Sequence, residues 1–343
     1  MLINVKIIVD AMGGDNAPDE IIIGSLDCLQ QPGVEIILVG RGEDILRVIE
    51  RTGHDNLPCG VEIVHASEVI GLEDDPANAV RIKKDSSLAV ALNLLRDGYG
   101  DALVSAGSTG ALLSGATLIV KRVRGIRRAA LAPFIPNAAK GFLLIDCGAN
   151  VECTQEYLMQ FAFMGSLYME HLKKTDAPRI GLLNNGVEYN KGTPLLVETY
   201  KLLEKAGQCG YLNFVGNVEA KDAMGDACDV LVCDGFTGNI FLKSLEGMAA
   251  LIMSELKGIY TKSPITKLSA VAIRKHMSAL KTKMNPDTIG GTTLLGISKP
   301  VIKAHGSSKA AAIAGAIHQA TEAIDSDIES QLLTNIDKMK IIP

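Results

Sequence analysis

Tryptophan is absent, and aromatic residues make up only 4% of the 343 positions. Platforms that stack single-stranded bases are built from aromatic rings, so that class is poorly supplied here. A basic surplus is missing too. The 34 Lys and Arg face 39 Asp and Glu, a net charge of −5, whereas nucleic-acid-binding domains usually carry a basic face. No nucleic-acid partner is expected. No uninterrupted apolar run reaches the roughly 18 residues of a membrane span. The seven cysteines include no CxxC pair, which leaves zinc without its usual ligand spacing. Their number is odd and several lie in apolar runs, where Cys acts as a small hydrophobe. With no leader recognised, they are expected to be reduced thiols of a cytoplasmic protein. A Walker A ending and a GxGxxG fingerprint are also lacking, so a nucleotide site is poorly supported.

What is present is an ordinary globular composition, 47% hydrophobic and 21% charged, with enough chain for a large core. Apolar strand-like runs alternate with helical stretches: Val5–Val9, Ile36–Val39, Val61–His65, Ala102–Ser105, Phe142–Asp146, Arg179–Leu183, Asn213–Val215 and Val301–His305 are expected strands. That alternation predicts a three-layer α/β fold, a mainly parallel sheet with helices on both faces. Residues 1–343 are expected to form a single catalytic unit. Ligand loops in such folds gather at the carboxyl edge of the strands.

Four of these edges end in small and polar residues. The central one is Cys233-Asp234-Gly235-Phe236-Thr237-Gly238-Asn239, before a helix expected from Ile240. Asp10 to Pro18 offers Gly13, Gly14, Asp15 and Asn16; Ala106 to Ala111 offers Ser108, Thr109 and Gly110; His305, Gly306, Ser307 and Ser308 open an Ala-rich helix. Small residues at a helix start let backbone N–H groups face an anion. The plainer alternative at each is turn and cap chemistry. Lys83–Ser87 is expected to divide the helical stretch 76–96, with Ser86 or Ser87 capping the second part. Lys191 follows the strand 179–183, a position usually filled by surface lysines.

One segment reverses the charge of the chain. From Leu256 to Pro286 stand seven basic residues, Lys257, Lys262, Lys267, Arg274, Lys275, Lys281 and Lys283, and no acid. Ile273, Met277, Leu280 and Met284 repeat at helical spacing, and Pro264 marks a turn, so residues 240–286 read as a projecting helical pair. It either packs on the core or a second copy, or offers a basic amphipathic surface to an acidic partner or an anionic membrane. Lys121–Arg128, with five cations, is either a solvated basic loop or a docking surface for an acidic partner.

The motifs, taken in order, resemble one family. VDAMGGDNAP at residues 9–18, KKDSS at 83–87, SAGSTGALL at 105–113, LIDCGAN at 144–150, GLLNNG at 181–186, FVGNVEAKD at 214–222, CDGFTGN at 233–239, GGTTLLG at 290–296 and AHGSS at 304–308 closely resemble the bacterial phosphate acyltransferases. The resemblance covers nearly the whole chain. It departs at Val187–Asn190, where the family is glutamate-rich, and at Thr288 and Ile289, where it tends to carry an acid and an aromatic.

The resemblance implies transfer of a fatty acyl group from the thioester of acyl carrier protein to inorganic phosphate. The acyl phosphate then serves a glycerol-3-phosphate acyltransferase in the membrane. It also implies a fold similar to isocitrate and isopropylmalate dehydrogenases and phosphotransacetylases, a homodimer, and peripheral association with the inner face of the cell membrane. No cofactor is implied. It assigns catalysis to Lys191 and Asn239, with Asp234 beside them. Phosphate and substrate binding is expected from Asp10, Gly13, Gly14, Asp15, Asn16, Ser108, Thr109, Gly110, Asn150, Asn217, Thr237, Gly238, His305, Gly306 and Ser307. No metal is assigned, because acids in loops cap helices more often than they bind Mg²⁺.

The chemistry agrees. Phosphate is itself the nucleophile, so no Ser–His or Cys–His pair is needed and none is evident. Two other readings are an NAD-dependent decarboxylating dehydrogenase on the same fold and a non-catalytic membrane-tethered scaffold for lipid-synthesis enzymes. The first lacks a recognisable dinucleotide site; the second rests on the basic helical pair.

Overall fold

A computed structural model describes residues 4–71, 73–284 and 291–340. Expectations about Pro286, Thr288, Ile289 and Gly290, and about the side chains of Lys281, Lys283 and Met284, lie outside what is described.

The first half of the chain lays down β1 (Val5–Asp10), α1 (Asp19–Asp27), β2 (Val34–Gly40), α2 (Gly42–Arg51), β3 (Val61–His65), α3 (Ala79–Ile82), α4 (Ser87–Arg96), β4 (Ala102–Ser105) and α5 (Thr109–Gly115). Three short strands follow: β5 (Ala130–Ala132), β6 (Phe134–Ile135) and β7 (Phe142–Ile145). Then come α6 (Gln155–His171), β8 (Arg179–Leu183), α7 (Pro194–Gln208), β9 (Asn213–Val218), α8 (Ala220–Ala223) and β10 (Val230–Val232). The long helices α9 (Gly235–Thr261) and α10 (Pro264–Met284) precede β11 (Thr292–Leu295), β12 (Val301–Lys303), α11 (Ala310–Ser326) and α12 (Ile328–Asn335).

The α/β class and the mainly parallel pairing are as expected, but the strands form two sheets instead of one. The first has the order β3-β2-β1-β4-β12-β11-β5, the second β6-β7-β10-β8-β9. Among the described residues, the antiparallel pairings are those of β11 with β12 and β5 and of β6 with β7. The chain passes from one sheet to the other across Pro133, between β5 and β6. Proline carries no N–H to continue a ladder, so it suits a point where one ladder stops and another begins. One apolar cluster joins the sheets, from Ile8 and Leu103 in the first to Leu144 and Leu231 in the second.

The helix boundaries follow caps. Ser86 Oγ accepts from Ala89 N at 3.3 Å, so the cluster at 83–87 does divide α3 from α4. Asp234 caps α9, which therefore starts five residues before the expected Ile240. Thr237, Gly238 and Asn239 belong to its first turns and not to a loop. Of its 27 residues only Gly235 and Gly238 are buried. At 1.5 Å per residue it is about 40 Å long, and it pairs with α10. No helix of the described residues is long and apolar enough to cross a membrane.

Candidate active site

Parallel strands aligned in register present their last residues side by side. Asp10 of β1 is paired with Ser105 of β4, and Ser105 is paired with Lys303 of β12. Three polar side chains thus end three adjacent strands at one level, all of them buried. Ser105 Oγ donates to Asp10 Oδ2 at 2.7 Å, and Asp10 Oδ1 is buried without a partner. Burial raises the Asp10 carboxyl above the usual carboxylate range. Burial lowers the Lys303 ammonium to about 8, opposed by the charges of Asp10 and Asp15.

The loops beyond these strands are stitched together. Asp15 N donates to Gly306 O at 2.8 Å, and Asn16 Nδ2 donates to the carbonyls of Ser307 and Ser308 at 3.0 and 3.2 Å. His305 Nδ1 and Ser307 Oγ lie 2.9 Å apart. Gly14 has φ +104°, and a Cβ there would stand 2.9 Å from Ala106 Cβ, so both conformation and space call for glycine. A Cβ on Gly13 would meet Asp10 Oδ2 at 2.5 Å. The expected cluster around Asp10, Gly13, Gly14, Asp15, Asn16, Gly306 and Ser307 is therefore one packed unit.

A cavity of about 750 Å³ opens above it. Its polar end holds Thr109, Lys303, His305, Gly306 and Asn239, with Lys243 and Glu246 on the facing side of α9. Lys243 Nζ and Glu246 Oε2 are 2.8 Å apart. The other walls are apolar: Leu131, Pro133, Phe134 and Ile135 from the passage between sheets, and Leu242, Leu245, Met248 and Ile252 from α9. Asn137 fixes one wall by accepting from Ala139 N and Gly141 N, both at 2.8 Å.

Asp146 holds the opposite rim. It is buried and accepts from Leu131 N at 2.8 Å, Ala149 N at 3.2 Å and Asn150 N at 2.7 Å. Asn150 Nδ2 donates to Ala129 O at 2.8 Å and to Asp146 Oδ2 at 3.0 Å, so its amide serves this loop. Cys147 faces the cavity, but burial and the nearby Asp146 push its thiol far above the usual range. A thiol kept neutral in this way is a poor nucleophile.

Other expected residues have structural partners. Asp234 accepts from Thr237 N at 2.8 Å and Thr237 Oγ1 at 2.7 Å, which engages both groups in the cap of α9. Ser108 caps α5, its Oγ accepting from Ala111 N at 3.5 Å. A Cβ on Gly110 would stand 2.6 Å from Pro76 Cβ, so its small size answers to packing. Lys191 and Asn217 lie at the carboxyl edge of the second sheet, outside the lining of this cavity. Lys191 is exposed, and its carbonyl accepts from Asn184 Nδ2 at 3.0 Å. Asn217 is buried; its Nδ2 donates to Glu188 O at 2.7 Å and its Oδ1 has no partner.

Sequence reading missed Lys303, Lys243, Glu246, Asn137 and Asp146. Lys303 carried a usable signal, since it is the one charge inside the apolar run Val301–Ala304. The others carried none, because an acid or amide near a turn looks the same whether or not it supports a site. Among the described residues no group of three His, Cys, Asp or Glu side chains is arranged to hold a metal ion.

Comparison with known proteins adds three findings. A family model described as "Fatty acid synthesis protein" matches residues 5–331. The phosphate acyltransferase of Thermoanaerobacter pseudethanolicus is 44% identical over 336 residues, 98% of each chain, and that of Oceanobacillus iheyensis 42% identical over the same span. Among solved structures, a phosphotransacetylase from Streptococcus pyogenes matches with TM-score 0.62 at 17% identity, covering 95% of each chain. At that identity the likeness bears on the fold alone.

Proposed function

The chain belongs to the phosphate acyltransferase family, and on that premise we propose how its cavity divides the work of the reaction. The activity is transfer of a fatty acyl group from the thioester of acyl carrier protein to inorganic phosphate. What supports the division is one observation: the cavity joins an apolar wall to a polar floor that includes a buried cation. An acyl chain lies along Leu242, Leu245, Met248 and Ile252. Phosphate lies at the floor, near Thr109, His305 and Gly306, over the unit built by Asp10, Gly13, Gly14, Asp15, Asn16 and Ser307.

A phosphate oxygen attacks the thioester carbonyl, a C–O bond forms, and collapse of the tetrahedral intermediate breaks the C–S bond. The electron pair leaves on sulfur, which takes the proton released by hydrogen phosphate. The oxyanion needs oriented donors, and such donors are the main source of rate in acyl transfer. Asn239, exposed into the cavity from the first turns of α9, is one. Lys191, whose side chain lies outside the cavity lining on the loop after β8, is the proposed second; it has to swing in past β10, the neighbouring strand that leads into Asn239. Asp234, Thr237, Gly238, Ser108, Gly110, Asn150 and Asn217 serve by holding these loops in shape.

The two sheets act as one catalytic unit, with a fold of the isocitrate and isopropylmalate dehydrogenase type. The finer setting belongs to the same proposal: a homodimer at the inner face of the membrane, which passes acyl phosphate to a glycerol-3-phosphate acyltransferase. Support for the membrane contact is the exposed apolar and basic surface of α9 and α10. Purified protein incubated with acylated carrier protein and phosphate tests the division of the cavity. Bulky substitution of Leu245 or Met248 should shift acyl-chain preference while phosphate saturation stays constant. An unchanged preference for every chain length would reject the apolar wall as the acyl site.

A further inference from the structure

Lys303 is 8% exposed. Its Nζ donates to Ala106 O at 3.3 Å and, at closer range, to Ala304 O, and among the described residues it forms no ion pair. Two neutral carbonyls are weak compensation for an ammonium removed from water, since buried charges are normally paired. Asp10 stands two strands away, roughly 10 Å between backbones at the usual strand spacing, and Ser105 lies between them in register. The carboxylates of Asp10 and Asp15 partly offset the cation through space, but no carboxylate of the described residues is within ion-pair distance of it, and Lys303 lines the cavity.

A second cation faces the same cavity from α9. Lys243 is paired with Glu246 at the cavity rim, and its field adds to the factors that lower the Lys303 ammonium after burial itself. Two cations converging on one space repel each other. They become mutually compatible when a dianion lies between them.

We propose that Lys303 and Lys243 form the phosphate subsite, Lys303 as a fixed cation in the floor and Lys243 as a second that exchanges Glu246 for the anion. This rests on the reading of the cavity as the acyl-transfer site and names the groups that carry the phosphate charge. Lysine suits the task because its ammonium is a compact point charge for phosphate. The fit is to a small tetrahedral oxyanion, with Thr109 and the backbone at Gly306 at its sides.

Phosphate saturation at fixed acylated carrier protein, measured for wild type, Lys303→Met, Lys303→Arg and Lys243→Gln, tests it. Lys303→Met should raise the phosphate KM at least tenfold and leave the carrier KM within about twofold; Lys303→Arg should recover part of the loss. Lys243→Gln, an exposed helical position, should raise the phosphate KM severalfold. Wild type should also show a rise in Tm in phosphate at matched ionic strength that Lys303→Met lacks. Unchanged phosphate KM and Tm response in both variants overturn the subsite. If Lys303→Met does not fold, Lys243→Gln alone decides. If wild type makes no acyl phosphate, the reading of the cavity fails instead, and the phosphate-dependent Tm still judges the two lysines.

Discussion

Gly238, in the first turn of α9, packs so closely on Asp146 that a Cβ there would overlap the Asp146 carbonyl oxygen, well inside van der Waals contact distance. The contact ties the helix that carries Asn239, Lys243 and Glu246 to the loop that carries Cys147 and Asn150. Gly238→Ala should therefore cost about 1–3 kcal/mol through overpacking, read as a lower midpoint in chemical denaturation. Turnover per folded molecule should fall with it, because the helix start moves away from the cavity floor. A variant with unchanged midpoint would show that this contact yields without cost.

Much of this site could be read from the chain, and the reasons are specific. Thr109, Asn239, His305 and Gly306 all line the cavity, and each follows an apolar strand at a small-residue turn. Such positions are legible because strand ends in parallel sheets converge whatever their distance in sequence. The two-sheet division was not legible. β5 and β6 have three and two residues, too short for any period, and Pro133 interrupts them. The start of α9 was misjudged because Gly235-Phe236-Thr237-Gly238 has loop composition, yet Asp234 caps it and Gly238 is required by packing.

Loss of one preorganised oxyanion donor typically costs 100- to 1,000-fold in turnover. Asn239→Ala should show about that loss at saturating substrates, since Asn239 is exposed into the cavity and its side chain has no partner among the described residues. Lys191→Ala should lose a similar factor. Stopped-flow release of free carrier thiol measures both. Near wild-type turnover in either variant removes that residue from the oxyanion role.

Gly110 separates packing from ligand contact. Its absent Cβ would meet Pro76 at 2.6 Å, so Gly110→Val should lower stability while the folded enzyme keeps its phosphate KM. Thermal unfolding alongside phosphate titration distinguishes the two. A raised phosphate KM without loss of stability would instead make the Gly110 backbone part of the anion site.

Lys303 also sets a pH dependence. Its pKa falls on folding from 10.5 to about 8, so between those values the unfolded chain binds more protons than the folded one. Stability should then rise with pH across that window, relative to Lys303→Met. Phosphate binding should move the opposite way, weakening as pH passes about 8 and the cation is lost. Asp10, Asp15, Lys243, Glu246 and His305 face the same region, so the comparison with Lys303→Met isolates the lysine. Denaturation midpoints from pH 7 to 10.5 give the first trend and phosphate KM the second. Parallel curves for wild type and variant would show that Lys303 does not titrate there.

The last prediction concerns α10. Ile273 and Met277 repeat at helical spacing and were the natural choice for a membrane-facing stripe, but both are half-buried. The exposed apolar side chains are Ile265, Leu268 and Val271, at 79, 74 and 69%. They follow i, i+3, i+6 spacing and so share one face of the helix. Lys267, Arg274 and Lys275 are exposed on the same helix, the combination of apolar and basic surface that anionic bilayers attract. Each methylene that enters a bilayer contributes about 0.8 kcal/mol, so serine at two of the three positions should abolish stable binding. Ile265→Ser with Leu268→Ser should lose flotation with anionic vesicles while lipid-free turnover stays within about twofold. Ile273→Ser with Met277→Ser should keep flotation and lower thermal stability, because that stripe is partly covered. Retained flotation in the first pair and loss in the second would mean that α10 turns over its faces at the membrane, and the exposed stripe would no longer be the docking surface.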